Sequence, residues 1–299
     1  MESKVIVFGG NGFLGTYLCR ELLRRNYHVT IADIQEKENI NEFDFVFCNI
    51  LDREKVKSFL QNGSFDYVYN LAGFANLDQA VHFPYKTIQL NVIGNINILD
   101  GTVGTNCKRY IYASSTYAMS NKGSFYGISK MSSEKLIKEY KEQHNLNYTI
   151  LRYGSVYSEL PFENNYIYSL VEKAVKSKKI IHGGDGNEIR EYIHASDAAK
   201  LSVDILSNDD FLNQNVILSG TEKMQRSELF QMIKEMMNND IEITLNTGGY
   251  KHHYKYTPYS FPVIANKKLV ANPHIDLEQC ILACIVNINR EKTVKKDNC

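Results

Sequence analysis

Gly9-Gly10-Asn11-Gly12-Phe13-Leu14-Gly15 is the stretch on which the fold turns. It follows the apolar run Val5-Ile6-Val7-Phe8. It opens a segment, Phe13 to Arg25, in which Leu14, Leu18 and Leu22 share one helical stripe. A buried strand, a glycine turn and a helix, in that order, begin a dinucleotide-binding βαβ unit. Gly9 permits the tight turn, Gly12 lets the backbone approach a pyrophosphate, and Gly15 lets the helix pack close to the strand. The helix N-terminus, carrying Phe13 and Leu14, then faces the phosphate charge. Asp33 ends the next apolar run, His28 to Ala32. A carboxylate there accepts both ribose hydroxyls of an adenosine and repels a 2′-phosphate, so NAD is expected rather than NADP. Asn49 follows a third strand, Phe43 to Phe47, and can bond the adenine amine, with Ile50 beside it.

The same alternation continues along the first half of the chain. A helix is expected over Asp52 to Leu60, a strand over Tyr67 to Leu71 and a long helix over Tyr85 to Val103. A strand at Arg109 to Ala113, a second long helix at Ser124 to His144 and a strand at Tyr148 to Arg152 follow. Repeated βα units imply an α/β fold, a Rossmann-type doubly wound parallel sheet. After Tyr153 the rhythm changes. Helices at Tyr166 to Ser177, Ser196 to Leu206, Glu228 to Met237 and Leu277 to Val286 alternate with short strands at Lys179 to His182, Ile189 to Ile193, Asn215 to Leu218 and Ile241 to Leu245. Residues 1–153 are expected as the NAD-binding domain, with a segment near 194–220 returning to its sheet. Residues 154–193 and 221–290 are expected as a smaller mixed α/β domain. Asn287 to Cys299 reads as a frayed polar tail.

The 299 residues carry 34 Lys plus Arg against 34 Asp plus Glu. A binder of nucleic acid that neutralises phosphates would show a basic excess. No apolar run reaches the length of a membrane span, and the N-terminus lacks the hydrophobic segment of a secretory signal, so a cytoplasmic protein is expected. The six cysteines are scattered without a CxxC. Cys280 and Cys284 are read as buried apolar residues, and the adjacent His252 and His253 as part of a solvated loop, so no metal site is expected.

Tyr126 and Lys130 lie four residues apart on the second long helix and share a face. An ammonium beside a phenol, with a cationic nicotinamide ring nearby, favours the phenolate. Such a tyrosine can take a proton from a sugar hydroxyl while hydride leaves for the cofactor. Tyr126 is the only tyrosine of the chain with a lysine four residues on. Upstream, Ser114-Ser115-Thr116 runs off the carboxyl end of the fifth strand, where doubly wound sheets bind ligands. Ser115, with Thr116 as second choice, can steady charge on the reacting oxygen.

Together these residues resemble the extended short-chain dehydrogenase/reductase family, in its NAD-dependent epimerase/dehydratase branch acting on nucleotide sugars. The match runs from Lys4 to about Asp197 and includes Asn70-Leu71-Ala72-Gly73, Asn91 and Leu151-Arg152-Tyr153. The resemblance implies that Leu71, Ala72, Gly73, Asn91 and Tyr153 serve the cofactor and that Lys130 also holds the nicotinamide ribose. It implies a homodimer through the two long helices, and it makes the smaller domain the nucleotide-sugar site. Gly184-Asp185-Gly186-Asn187-Glu188-Ile189-Arg190, with Asp197, is similar to the branch's substrate signature, in which the arginine grips the diphosphate. Asn164 and Asn165 stand where the branch contacts the nucleotide sugar.

Only ten residues separate Ser115 from Tyr126, a shorter roof than the branch carries, so its sugar specificity does not transfer. Dehydratases of the branch place an Asp-Glu pair after the serine or threonine. Here no acid occurs between Thr116 and Glu134, and the Tyr112 to Gly127 segment holds no Cys or His. What remains is hydride chemistry at one ring carbon, C4, of a nucleotide-diphosphate sugar. 4-Epimerisation is the expected outcome. Net dehydrogenation or keto-reduction is the alternative, and a non-catalytic NAD sensor is the alternative of another class.

Overall fold

A computed structural model describes residues 3–37, 42–221, 223–246, 250–260 and 267–297. In chain order, β1 (Lys4–Phe8), α1 (Phe13–Arg24), β2 (His28–Asp33), β3 (Asp44–Phe47), α2 (Arg53–Gly63) and β4 (Tyr67–Asn70) build the first half of the sheet. Next come α3 (Leu77–Ala80), α4 (Pro84–Ile88), α5 (Gly94–Thr102), β5 (Arg109–Ser115), α6 (Ser124–His144) and β6 (Tyr148–Tyr153). The remainder is β7 (Ser155–Tyr157), α7 (Tyr166–Ser177), β8 (Lys179–His182), β9 (Ile189–His194), α8 (Ala195–Asp204), β10 (Gln214–Leu218), β11 (Lys223–Gln225), α9 (Arg226–Met236), β12 (Glu242–Leu245), β13 (Lys267–Leu269) and α10 (Leu277–Asp297).

Eight strands form one sheet in the order β13-β10-β6-β5-β4-β1-β2-β3, every pairing parallel. This is the Rossmann-type architecture expected from the βα alternation. Parallel strands are covered on both faces, and β1 shows the consequence: Val5, Ile6, Val7 and Phe8 are all buried. Val5 and Val7 join Leu18, Leu22 and Ile31 on one face, while Ile6 and Phe8 join Val56, Leu60 and Ile98 on the other. Strand order reverses between β1 and β4, and there the carboxyl ends open a crevice. A separate core of Ile167, Val171, Phe230, Ile281 and Cys284 joins α7, α9 and α10.

Three local readings are corrected. The helix expected over Tyr85 to Val103 is α4 and α5 joined by a π turn at Gln89–Ile93, whose wider backbone swings Asn91 inward. The expected polar tail is helix as far as Asp297, because α10 continues beyond its apolar anchor residues. β7, β11 and β13 were not expected; each has three residues, too few to show a period.

Candidate active site

Gly9 and Gly15 are packed against backbone, which is why those two positions cannot carry side chains. Gly9 sits at φ +78°, and a Cβ there would lie 2.7 Å from the Ala72 nitrogen. A Cβ on Gly15 would meet the Gly9 carbonyl oxygen at 2.2 Å. Gly12 is the N-cap of α1; no side chain caps the helix, and its first turn holds no acid. Its free N–H groups open on a cleft of about 480 Å³ lined by Gly9, Gly12, Phe13, Leu14, Gly15, Asp33, Asn49, Ile50, Leu71, Ala72 and Gly73. Asp33 is steadied at the rim: its Oδ2 accepts from the Asn11 N–H at 3.0 Å and its Oδ1 from Gln35 at 3.2 Å. Each oxygen keeps a lone pair for a ribose hydroxyl. Lys37 is turned away, donating to Thr16 and lying 5.0 Å over the Phe162 ring. The cradle, the uncapped helix and the acid fit NAD.

Two amides behave differently from expectation. Asn49 lines the cleft, but its Oδ1 accepts from the Leu51 N–H at 3.0 Å and so also closes its own turn. Asn91 does not line the cleft. Its Oδ1 accepts from the Phe74 N–H, and its Nδ2 donates to the Phe74 carbonyl and to Ser129. It braces the Gly73–Phe74 loop from behind rather than touching a ligand. Gly73 must be glycine, since a Cβ there would lie 2.4 Å from the Asn91 Oδ1.

Ser115, Tyr126, Lys130 and Tyr153 all line the same cleft. Register explains the first and last: Ser115 pairs with Tyr153 at the carboxyl edge of the sheet. The Tyr153 hydroxyl is held by Ser202 at 2.7 Å, which leaves its ring as a wall. Lys130 donates to the Ala113 carbonyl at 2.8 Å, and its Nζ stands 5.9 Å from the centre of the Tyr126 ring. Burial pushes the Tyr126 phenol up, and the Ser115 hydroxyl opposes it. The protein's own groups therefore do not lower this pKa, and the lowering expected beside the nicotinamide falls to the bound cofactor. Thr116 is buried in the turn behind Ser115 and does not line the cleft.

Burial also brings the Lys130 ammonium down to about 8, against the pull of Glu134. An unfolded lysine titrates near ~10.4. Between those values the unfolded chain still holds a proton that the folded chain has released, so stability rises with pH. The penalty of burying the charge is present in full below pH 8. Lys130→Met should remove this behaviour. Urea unfolding at pH about 7 and about 10 should show the wild-type-minus-variant stability growing by about 2.5 kcal/mol. No change across that interval would contradict the assignment.

What holds α6 in place was not foreseen. Glu134 accepts from Arg152 Nε at 2.8 Å and Nη2 at 2.6 Å, and from the Ser114 hydroxyl at 2.6 Å, all buried. This pair ties α6 to β6 and β5 one helical turn below Lys130. An acid in mid-helix and an arginine in a strand carry no signal until the strands assemble.

The substrate side differs most from expectation. Asn164 lines the cleft. Asn165 does not: fully buried, it caps α7 through the Tyr168 N–H and donates to Ser158 and Leu160, so none of its capacity faces the cleft. Arg190 does not line the cleft either. It is 2% exposed, and the Tyr254 ring covers its guanidinium at 4.0 Å. Tyr254 belongs to the segment read as a solvated loop; Lys251, His252, Lys255 and Tyr256 are exposed as that reading has it, and Tyr254 is the exception. Tyr254 is buried and packs 4.6 Å from Tyr117, which in turn lies 6.2 Å from Tyr126. His253 pins the segment, bonding the Tyr117 hydroxyl through Nδ1 at 2.8 Å and Asp78 through Nε2 at 2.9 Å. The hydrogen bond from His253 holds the Asp78 carboxyl below its usual value. Residues 250–254 thus pack against Tyr117, in the short segment after Ser115.

Among the described residues, Glu159, His194 and Cys280 bring possible metal-ligand atoms within 4.8 Å of one another. His194 Nδ1 accepts the Ser196 N–H, so Nε2 bears the proton and donates to Glu159 at 2.8 Å. That tautomer offers a cation no lone pair.

A family model, described as NAD dependent epimerase/dehydratase family, matches residues 5–218. A Methanocaldococcus jannaschii protein provisionally assigned as a UDP-glucose 4-epimerase is 29% identical over 251 residues, 77% of this chain and 81% of that protein. The UDP-glucose 4-epimerase of Lactobacillus helveticus is 24% identical over 277 residues, 81% and 84% of the two chains. Among solved structures, UDP-glucuronic acid 4-epimerase from Bacillus cereus, in complex with UDP-glucuronic acid and NAD, has a TM-score of 0.81 at 20% identity, covering 96% of this chain and 99% of that one. That last similarity is one of fold. The family match begins in β1 and ends at the last residue of β10, spanning the glycine loop, Asp33 and the Tyr126–Lys130 pair: the chain belongs to the NAD dependent epimerase/dehydratase family of enzymes.

Proposed function

We propose that the protein interconverts the C4 epimers of a nucleotide-diphosphate sugar through a 4-keto-sugar. The observation that carries this reading is the convergence of Ser115, Tyr126 and Lys130 on the cleft built by the glycine loop. The turn after Ser115 is Thr116–Met119, without the acids a dehydration would use. Bound NAD supplies the hydride acceptor for oxidation at C4 and the donor for the return step. Tyr126 takes the C4 hydroxyl proton as hydride leaves and gives it back as hydride returns. Lys130 places positive charge beside the phenolate, and Ser115 donates a hydrogen bond to the C4 oxygen. Domain roles follow the same reading: residues 1–153 with 194–220 hold the cofactor, and 154–193 with 221–290 hold the nucleotide sugar. Such chemistry suits the cytoplasm, where the free cysteines stay thiols. Among the described residues no helix is long and apolar enough to cross a membrane.

Incubating catalytic amounts of enzyme with UDP-glucose, UDP-N-acetylglucosamine and UDP-glucuronic acid tests the reading. A C4 epimer without accumulating NADH is expected. Stoichiometric NADH and a keto-sugar without epimer would replace it with net dehydrogenation.

A second copy of the chain is proposed to pack on α4, α5 and α6. On that side α4 exposes Tyr85, the π turn before α5 exposes Ile93, and α6 exposes Phe125, Ile128 and Met131, with Tyr85 75% and Ile128 50% exposed. Several exposed apolar side chains on neighbouring helices support an interface there. Ile128→Glu should convert a dimer to a monomer in light scattering; a wild type that is monomeric at working concentration would refute the interface.

A further inference from the structure

Arg190 and Arg226 are two buried guanidinium groups that the described protein leaves without a counter-charge. Arg190 is 2% exposed and Arg226 5%. Met224 pairs with Arg190 across β11 and β9, and the Arg226 N–H continues that ladder to the Glu188 carbonyl. The two arginines therefore arise two positions apart on adjacent segments. Glu188, the acid opposite Arg226, is bound to His182 at 3.0 Å, and among the described residues neither arginine has a carboxylate partner. Arg190 Nη1 donates to its neighbour's carbonyl, Arg226 Nη1 donates to the Tyr192 hydroxyl, and the Arg226 guanidinium also bonds Tyr250. Arg190 Nη2 and Arg226 Nε are buried and make no hydrogen bond.

Aromatic rings flank both cations: Tyr254 at 4.0 Å from Arg190 and Tyr166 at 4.1 Å from Arg226. Cation–π contacts offset only part of the cost of burying two like charges together. A pair of fork-shaped donors with idle N–H groups matches the spread charge of a diphosphate. A run of ring contacts, Tyr126 to Tyr117 to Tyr254, leads from the cleft to Arg190.

We infer that Arg226 is a second diphosphate-binding residue, acting with Arg190 on the nucleoside diphosphate of the substrate. This rests on the nucleotide-sugar reading above. Without nucleotide, Arg226 is a liability, so removing its charge raises stability while it weakens binding. A structural arginine would show the reverse.

The test titrates NAD-loaded wild type, Arg226→Met and Arg226→Lys with UDP and with UMP by calorimetry, alongside thermal melts without nucleotide. Expected for Arg226→Met is a loss of UDP affinity of about 10- to 100-fold, a change of about threefold or less for UMP, and a higher melting temperature. Arg226→Lys, which keeps charge but loses the fork, should lose about tenfold for UDP and serves if the Met variant does not fold. Unchanged UDP affinity in both variants, or an equal loss for UDP and UMP with a lowered melting temperature, overturns the assignment. A wild type that binds none of UDP, dTDP, CDP and GDP instead refutes the nucleotide-sugar reading itself.

Discussion

Replacing Tyr126 by phenylalanine should lower turnover about 100- to 10,000-fold and leave NAD bound, because the variant removes the proton acceptor and keeps the ring that walls the cleft. No second base stands ready. Ser115 is a hydroxyl of high pKa, Lys130 donates rather than accepts while charged, and the Tyr153 hydroxyl is held by Ser202. The Tyr117 hydroxyl is bonded to His253, and burial holds it well above the usual tyrosine value. Steady-state rates and NAD content of the purified variant check this together. Turnover within tenfold of wild type would remove Tyr126 from the chemistry. Activity lost together with NAD would make the residue a cofactor wall only.

Glu134→Ala should cost about 3–5 kcal/mol of stability, the largest effect expected from any residue outside the cleft. The carboxylate accepts two bonds from Arg152 and one from Ser114. Its removal takes the matching carboxylate from a guanidinium buried between α6 and β6. Glu134 is one turn beyond Lys130, so the same change should loosen the Tyr126–Lys130 geometry and lower activity in the protein that still folds. Adding Arg152→Met should return much of the lost stability, because an apolar replacement of both partners leaves no buried charge. Urea unfolding of the two single variants and the double variant measures this. A loss below about 1 kcal/mol for Glu134→Ala would show that the pair is not a structural tie.

The sequence disclosed those parts whose chemistry is local. The glycine loop, the Leu14–Leu18–Leu22 stripe and the four-residue step from Tyr126 to Lys130 are set by neighbours along one chain segment. The sheet followed from repetition of strand and helix. Contacts between distant segments were not legible. Arg226 reads as one more charged residue at a helix start until β11 pairs with β9 and sets it near Arg190. Tyr254 lies among lysines and histidines that suggest solvent, and it is buried because His253 anchors that segment to Tyr117 and Asp78. Amides near a motif are ambiguous for another reason. Asn91 and Asn165 have the right type and place for ligands, yet every bond they make braces backbone or a side chain of the protein. The phenol's pKa direction depended on burial, which spacing does not reveal.

The central claim is that hydride leaves one ring carbon of the sugar beside Tyr126 and returns to the same carbon. Incubating the enzyme in ordinary water with its nucleotide sugar deuterated at C4, and locating the label in the epimer by NMR, tests it most directly. The expected product is an epimer with the deuterium still on C4. An epimer whose C4 carries solvent hydrogen would contradict it.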